Sequence, residues 1–290
     1  MAEQQNNSDP NNVGTTGHEW DGIQELNNPL PRWWVWTLYI TIIWSIGYWI
    51  LMPAWPLLSS HTEGLFGFTS RKAAMAEVAQ AKAAQSKYLN RISKASLEDI
   101  RSDRELLAFS LAGGRSAFMV NCSQCHGSGA AGLKGYPNLN DDDWLWGGSL
   151  KSIHATITHG IRFERDEKTR QSAMPRFLAD DILKENQIDD VAEYVLSLTN
   201  QATDTAASKR GQKIFAEQCV ACHGASGEGK AELGAPRLND PIWLFGGDKK
   251  SIVTTIANSR RGVMPAWEKV LAPETIKQLT IYVHSLGGGK

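Results

Sequence analysis

Two short stretches of this chain could do chemistry. Cys122-Ser123-Gln124-Cys125-His126 and Cys219-Val220-Ala221-Cys222-His223 both read Cys-x-x-Cys-His, and together they use all four cysteines. This spacing is the signature of covalent haem c attachment. Two thiols three residues apart on one helical turn can form thioethers to both vinyl groups of one haem. The adjacent His then lies under the iron and ligates it. A zinc site would need the two cysteine pairs brought together, yet 93 residues separate Cys125 from Cys219, against roughly 15–20 in compact zinc sites. A thioredoxin-like redox pair needs a βαβ setting, for which there is no signal. The expected cofactors are therefore two covalently bound haem c groups, held by Cys122, Cys125, Cys219 and Cys222, with His126 and His223 as axial ligands.

The surroundings of the two motifs repeat. Gly114, Phe118 and the first motif recur 97 positions later as Gly211, Phe215 and the second motif. Pro137, Leu139, Asn140, Trp144, Gly147 and Gly148 recur 99 later as Pro236, Leu238, Asn239, Trp243, Gly246 and Gly247, and Ile153 and Ile157 match Ile252 and Ile256. Met174-Pro175 matches Met264-Pro265, 90 later, so the first copy carries nine extra residues around 160–168. Ile188, Val191, Tyr194, Val195 and Leu198 match Ile276, Leu279, Tyr282, Val283 and Leu286. An internal repeat of this kind defines two domains. Helical spacing of apolar residues in the closing block, few strand signals, and Gly/Asn/Asp/Pro-rich middles predict two small all-α units, 109–200 and 207–290.

Met174 and Met264 stand at equivalent repeat positions, downstream of each His, and are the expected sixth iron ligands. Met/His ligation raises the reduction potential and leaves no open position for substrate. His154, His159 and His284 are alternatives, but none has a His at the equivalent position of the other copy. Met119 has Ala216 at the equivalent position of the other copy and reads as packing. Asp141, Asp142 and Asp143 read as a solvated loop, and Trp144 and Trp243 as core or docking residues. Chain order pairs His126 with Met174 and His223 with Met264. Repeats packed about a pseudo-two-fold axis would exchange the methionines. Chain order is the expectation.

Elements outside the repeat must place these units. Seven of the 11 tryptophans lie in the first 55 residues, and no charged residue occurs from Trp33 to Ser60. Residues 33–55 are predicted to be a transmembrane helix, about 35 Å long at 1.5 Å per residue, with aromatic belts at both ends and Pro53 and Pro56 closing it. The apolar run is too long for a signal peptide, and 32 residues precede it. Residues 1–32 form an N-terminal cytoplasmic segment, and residues 56–108 a largely helical linker, with Ala, Lys and Gln over 70–95 favouring helix. The flanking charges orient the anchor only weakly, since residues 1–32 hold one basic residue against five acidic ones. Covalent haem attachment is an export-side process in bacteria, which places both haem domains in the periplasm and the anchor in the inner membrane, single-pass.

Composition bounds the rest. A hydrophobic fraction of 42% provides a core, and 30 Lys+Arg against 31 Asp+Glu exclude a dedicated nucleic-acid binder. Residues 109–200 carry a net −3 and residues 207–290 a net +5. The acidic unit suits a basic soluble donor cytochrome, with complementary fields speeding encounter.

The chain as a whole resembles the di-haem subunit III (CcoP/FixP) family of cbb3-type cytochrome c oxidases. The resemblance rests on the single anchor, both haem motifs, Tyr136-Pro-Asn-Leu-Asn-Asp-Asp-Asp-Trp-Leu-Trp-Gly-Gly148, Thr158-His-Gly-Ile-Arg162, Gly262-Val-Met-Pro-Ala-Trp267 and Tyr282-Val-His-Ser-Leu-Gly-Gly-Gly289. It implies two tandem cytochrome c folds behind one transmembrane helix. It also implies electron transfer from a soluble or membrane cytochrome c donor towards a mono-haem subunit and a catalytic subunit containing haem b and copper, with oxygen reduction coupled to proton pumping. Such a chain is a non-catalytic subunit of an oxidoreductase. The competing function is a membrane-anchored di-haem cytochrome c serving another dehydrogenase or reductase.

Overall fold

The computed structural model describes residues 13–287. Contacts divide the chain into two compact units, with the boundary after Ala84 inside helix α2 (Ser70–Lys94).

In the N-terminal unit, β1 (Thr15–Trp20) and β2 (Ile23–Leu26) form an antiparallel hairpin that precedes helix α1 (Arg32–Leu51). Among the described residues, the hairpin is the one sheet, an addition to an otherwise helical reading. Its turn is Asp21-Gly22, both with positive φ, the residue pair that type I′ turns require. Helix α1 is long and apolar enough to cross a membrane, and none of its residues is buried within the protein. It ends at Leu51, two residues before Pro53, so 52–55 lie outside the helix. The C-terminal carbonyls are met by the returning chain: Leu65 N donates to Ile50 O (2.9 Å) and Phe66 N to Leu51 O (3.1 Å). Gly64 makes that approach possible. A Cβ there would stand 2.6 Å from Leu51 O, and its φ is +70°.

The C-terminal unit contains the end of α2 and helices α3 (Leu97–Ser102), α4 (Arg104–Asn121), α5 (Ser123–His126), α6 (Leu150–His159), α7 (Glu185–Ser197), α8 (Thr205–Gln218), α9 (Val220–His223), α10 (Lys249–Asn258) and α11 (Pro273–His284). Several starts are chemically marked. Asp103, Ser149, Asp204 and Asp248 all accept from backbone N–H groups of the following turn.

The two halves interleave. Helix α4 of the first repeat packs against α11 of the second, while α7 of the first packs against α8 of the second. The repeated glycines and aromatics explain how. A Cβ on Gly114 would lie 2.3 Å from Gln278 O, and one on Gly211 would lie 1.9 Å from Asp190 O. Each helix pair is thus in backbone contact at its crossing. Beside the crossings, Phe118 meets Tyr282 (centroids 5.5 Å apart) and Phe215 meets Tyr194 (5.0 Å).

Two cores result. One is built on Phe118, Ile153, Ile157, Ile276, Leu279 and Val283, the other on Phe177, Val191, Val195, Phe215, Ile252 and Ile256. A third, smaller core of Ile92, Ile100, Leu106, Leu150 and Ile281 seats the end of α2. There Lys277 Nζ donates to Ile92 O, Ser93 O and Ala95 O at 2.7–3.0 Å, a cation on the negative end of α2.

Candidate haem sites at the crossing of two repeats

Each Cys-x-x-Cys-His motif follows directly from a long helix. Cys122 caps α4 and Cys219 caps α8, and the chain then turns once more. Cys125 N donates to Cys122 O and Cys222 N to Cys219 O, both at 3.1 Å, so each thiol pair lies on a single turn. No disulfide joins the four cysteines. Burial and the neighbouring cysteine raise Cys122 and Cys219 to about 11.

The histidines are aimed. His126 Nδ1 lies 3.0 Å from Pro137 O, and His223 Nδ1 lies 3.0 Å from Pro236 O. A carbonyl only accepts, so Nδ1 carries the proton and Nε2 presents its lone pair. Burial pushes both imidazoles below their usual range, which keeps them neutral and able to ligate a metal. The sequence shows Pro137 and Pro236 as a repeated pair without a role. Their carbonyls set the tautomer.

The packing departs from chain order. Met174, in the first repeat, lines a cavity with Cys219, Cys222 and His223 of the second. Met264, in the second repeat, packs on the Phe118–Ile157–Leu279 core alongside Cys122 and Trp144 of the first. Matching backbone bonds hold both methionine loops across the repeats. Trp267 N donates to Ile157 O (3.1 Å) and Phe177 N to Ile256 O (3.2 Å), and these are equivalent residues in the two copies. Ile161 and Met264 exchange two bonds at 2.9 and 3.0 Å, and Ser259 Oγ donates to Met174 O at 2.5 Å. The physical reason is the glycine crossing: once α4 rests on α11, the loop preceding α11 lies over the first motif.

The site residues fit haem c. Beyond the thiols and the oriented histidines, the Trp144 Nε1 donor is buried with no acceptor among the described residues. Orphaned buried donors are rare, and a haem carboxylate would satisfy this one.

Other residues flagged by sequence lie elsewhere. His154 bonds within α6 to Thr158, His159 pairs with Asp166 (3.2 Å), and His284 ends α11. Met119 does not pack as expected; it is 43% exposed, because it lies on the outer face of α4. The Asp141–Asp143 stretch is not simply solvated either. Burial first, then Asp240 and Asp141, raise Asp143 to about 6. Sequence reading passed over Trp146 and Phe245, 99 apart. Each reaches into the other repeat: Trp146 packs over Gly234, and Phe245 over Gly135. Their shared aromatic character at one repeat register was the available signal.

This geometry defines a class: a membrane-anchored cytochrome with two haem c groups, assembled from an interleaved repeat. Comparison with known proteins is more specific. Residues 12–59 match the family described as the N-terminal domain of cytochrome oxidase-cbb3, FixP; residues 111–199 match cytochrome c; and residues 206–283 match cytochrome c oxidase, cbb3-type, subunit III. The chain is 54% identical over 277 residues to the cbb3-type cytochrome c oxidase subunit FixP of Azorhizobium caulinodans, covering 95% of this chain and 94% of that one. It is 52% identical over 285 residues to subunit CcoP of Azospirillum brasilense (96% of each) and 49% over 281 to CcoP of Cereibacter sphaeroides (97% of each). The chain belongs to the FixP/CcoP family of cbb3-type cytochrome c oxidase subunits. Two cytochrome c domains in such a subunit carry two covalent haem c groups, and the other oxidase subunits are its partners.

Proposed function

We propose that this chain relays electrons from a donor cytochrome c in the periplasm to the mono-haem and catalytic subunits of the oxidase, for oxygen reduction coupled to proton pumping. Cys122 and Cys125 hold one haem and Cys219 and Cys222 the other. His126 with Met264, and His223 with Met174, would ligate the two irons. When bound, haem iron supplies reversible one-electron exchange.

The chain's own residues do the rest. The thioether cysteines fix each group on one helical turn. The Pro137 and Pro236 carbonyls fix the histidine tautomers. Met174 and Met264 would supply the second ligand to each iron and leave no position for oxygen or peroxide, so the chain would conduct electrons without substrate chemistry of its own. Helix α1 anchors the chain in the inner membrane with the haem domains outside. The match at residues 12–59 supports the oxidase reading over service to another dehydrogenase.

The observation that carries the axial assignment is Met174 lining one cavity with Cys219, Cys222 and His223. Purification from membranes in mild detergent, with a pigment spectrum and a subunit gel, tests the function. Copurifying haem b and copper support it. A red di-haem chain free of both contradicts it.

A further inference from the structure

Four arginines gather where the repeats cross, and none has a carboxylate partner among the described residues. Arg162, Arg260 and Arg261 line the cavity that holds Met174, Cys219 and His223. Arg170 is the repeat counterpart of Arg260, 90 positions earlier. Among the described residues, the arginine ion pairs involve Arg91, Arg176 and Arg210 instead. A further cavity arginine, Arg237, has Asp143 nearby.

The guanidinium groups are fixed by neutral oxygens. Arg162 Nε donates to Gly262 O and Nη1 to Ser172 O, both at 2.8 Å. Arg260 Nε donates to Thr255 Oγ1 (2.9 Å), and Nη2 to Ser251 O (2.6 Å) and Thr255 Oγ1 (2.5 Å). Arg162 Nη2 and Arg260 Nη1 are left with no acceptor among the described residues. Aromatic faces support the cations: Trp146 lies 5.9 Å from Arg162 and 5.3 Å from Arg170, and Phe245 lies 5.0 Å from Arg260. The first repeat duplicates the device. Arg170 Nη1 donates to Thr156 Oγ1 (2.5 Å), and Thr156 is the equivalent of Thr255.

Half-burying a cation beside neutral groups is costly unless an anion arrives. Burial pushes Arg162 and Arg170 down, and Arg261 repels Arg162 further. A haem brings two propionate carboxylates, and planar guanidinium forks match carboxylates. We propose that Arg162 and Arg260, one from each repeat, bind the propionates of the haem at the second motif through Nη2 and Nη1, and that Arg170 serves the first haem likewise. This rests on the motifs being haem sites. Its content beyond that reading is that a first-repeat arginine sets the electrostatics of the second haem. A fixed cation near iron favours the less positive ferrous state, so losing it lowers the reduction potential.

The test uses the full-length, haem-loaded protein in detergent. Each haem is titrated spectroelectrochemically as a one-electron component, assigned with Cys122→Ala and Cys219→Ala. For Arg260→Gln and Arg162→Gln, the reduced-to-oxidised ratio of the second haem at fixed ambient potential is expected to fall at least threefold. The first haem should change less, and Arg170→Gln should reverse the pattern. Arg→Lys retains the charge and should recover most of the shift. Ratios within 1.5-fold of the parent in both second-haem variants, with covalent haem stain intact, overturn the proposal. So does a shift confined to the first haem in Arg162→Gln. Lys variants that shift as far as Gln, or lose haem alongside Gln, also overturn it, since either would mark a packing role. Undiminished haem stain in both Cys→Ala variants would instead overturn the haem reading beneath it.

Discussion

Glu193 is fully buried on α7, and its removal should be costly in a pH-dependent way. The carboxylate accepts from Thr203 N (2.8 Å), Thr203 Oγ1 (3.0 Å) and Asp204 N (3.1 Å), and it pairs with Lys249 Nζ (2.9 Å). It thereby ties the link between the repeats, the start of α8 and the start of α10 to one point. Burial opposes ionisation, but Lys249 and the backbone donors outweigh it and hold the group at about 2, against an ordinary value of 4.5. A depressed carboxyl stabilises the fold above its unfolded value and loses that effect as pH falls towards the folded one. At about 1.4 kcal/mol per unit, the contribution is about 3 kcal/mol at pH 7, and more than half is gone by pH 3. Glu193→Gln keeps the shape and removes the charge. Chemical denaturation of the full-length protein, followed by circular dichroism, should show it about 3 kcal/mol less stable at pH 7. The gap should narrow to about 1 kcal/mol at pH 3. A gap below 1 kcal/mol at pH 7, or one that is unchanged at pH 3, would refute the reasoning.

Gly114→Ala and Gly211→Ala place a methyl within 2.3 Å of backbone oxygen and should each cost about 3 kcal/mol or more by forcing the helices apart. For Gly113→Ala the nearest atoms are the end of the Gln278 side chain, which can shift, so it should cost clearly less; equal melting shifts for all three would count against the crossing. Lys277→Met removes the cation from the end of α2 and should cost about 1–2 kcal/mol, seen as faster amide exchange around residues 90–95, whereas unchanged exchange there would contradict that role. Deleting residues 1–60 behind a cleaved export signal should release a soluble red di-haem protein, and membrane retention of that fragment would contradict a single anchor.

Much of this was legible from the residues. The haem motifs declare themselves by spacing, the anchor by its uncharged aromatic-edged run, and the repeat by Phe118/Phe215 and Met174/Met264. What escaped has a common cause. Helical periodicity says which face of α11 is buried, not which helix covers it, so Tyr282 and Gln278 gave no hint that Gly114 was their partner. Local signals existed for the hairpin, since Asp21-Gly22 between apolar residues is a turn, but a short exposed ribbon leaves little pattern. Met119 was misplaced because apolar type alone does not fix a helix face. The charge balance of 109–200 and 207–290 was sound arithmetic on segments that the packing interleaves.

Substituting Met264 with Ala in the full-length chain, followed by low-temperature electron paramagnetic resonance and carbon monoxide binding, tests the crossed arrangement most directly. The account predicts that the haem on Cys122 and Cys125 loses its sixth ligand and becomes high-spin and carbon monoxide-reactive, while the haem on Cys219 and Cys222 stays low-spin. Loss of the sixth ligand at the second haem alone would contradict it.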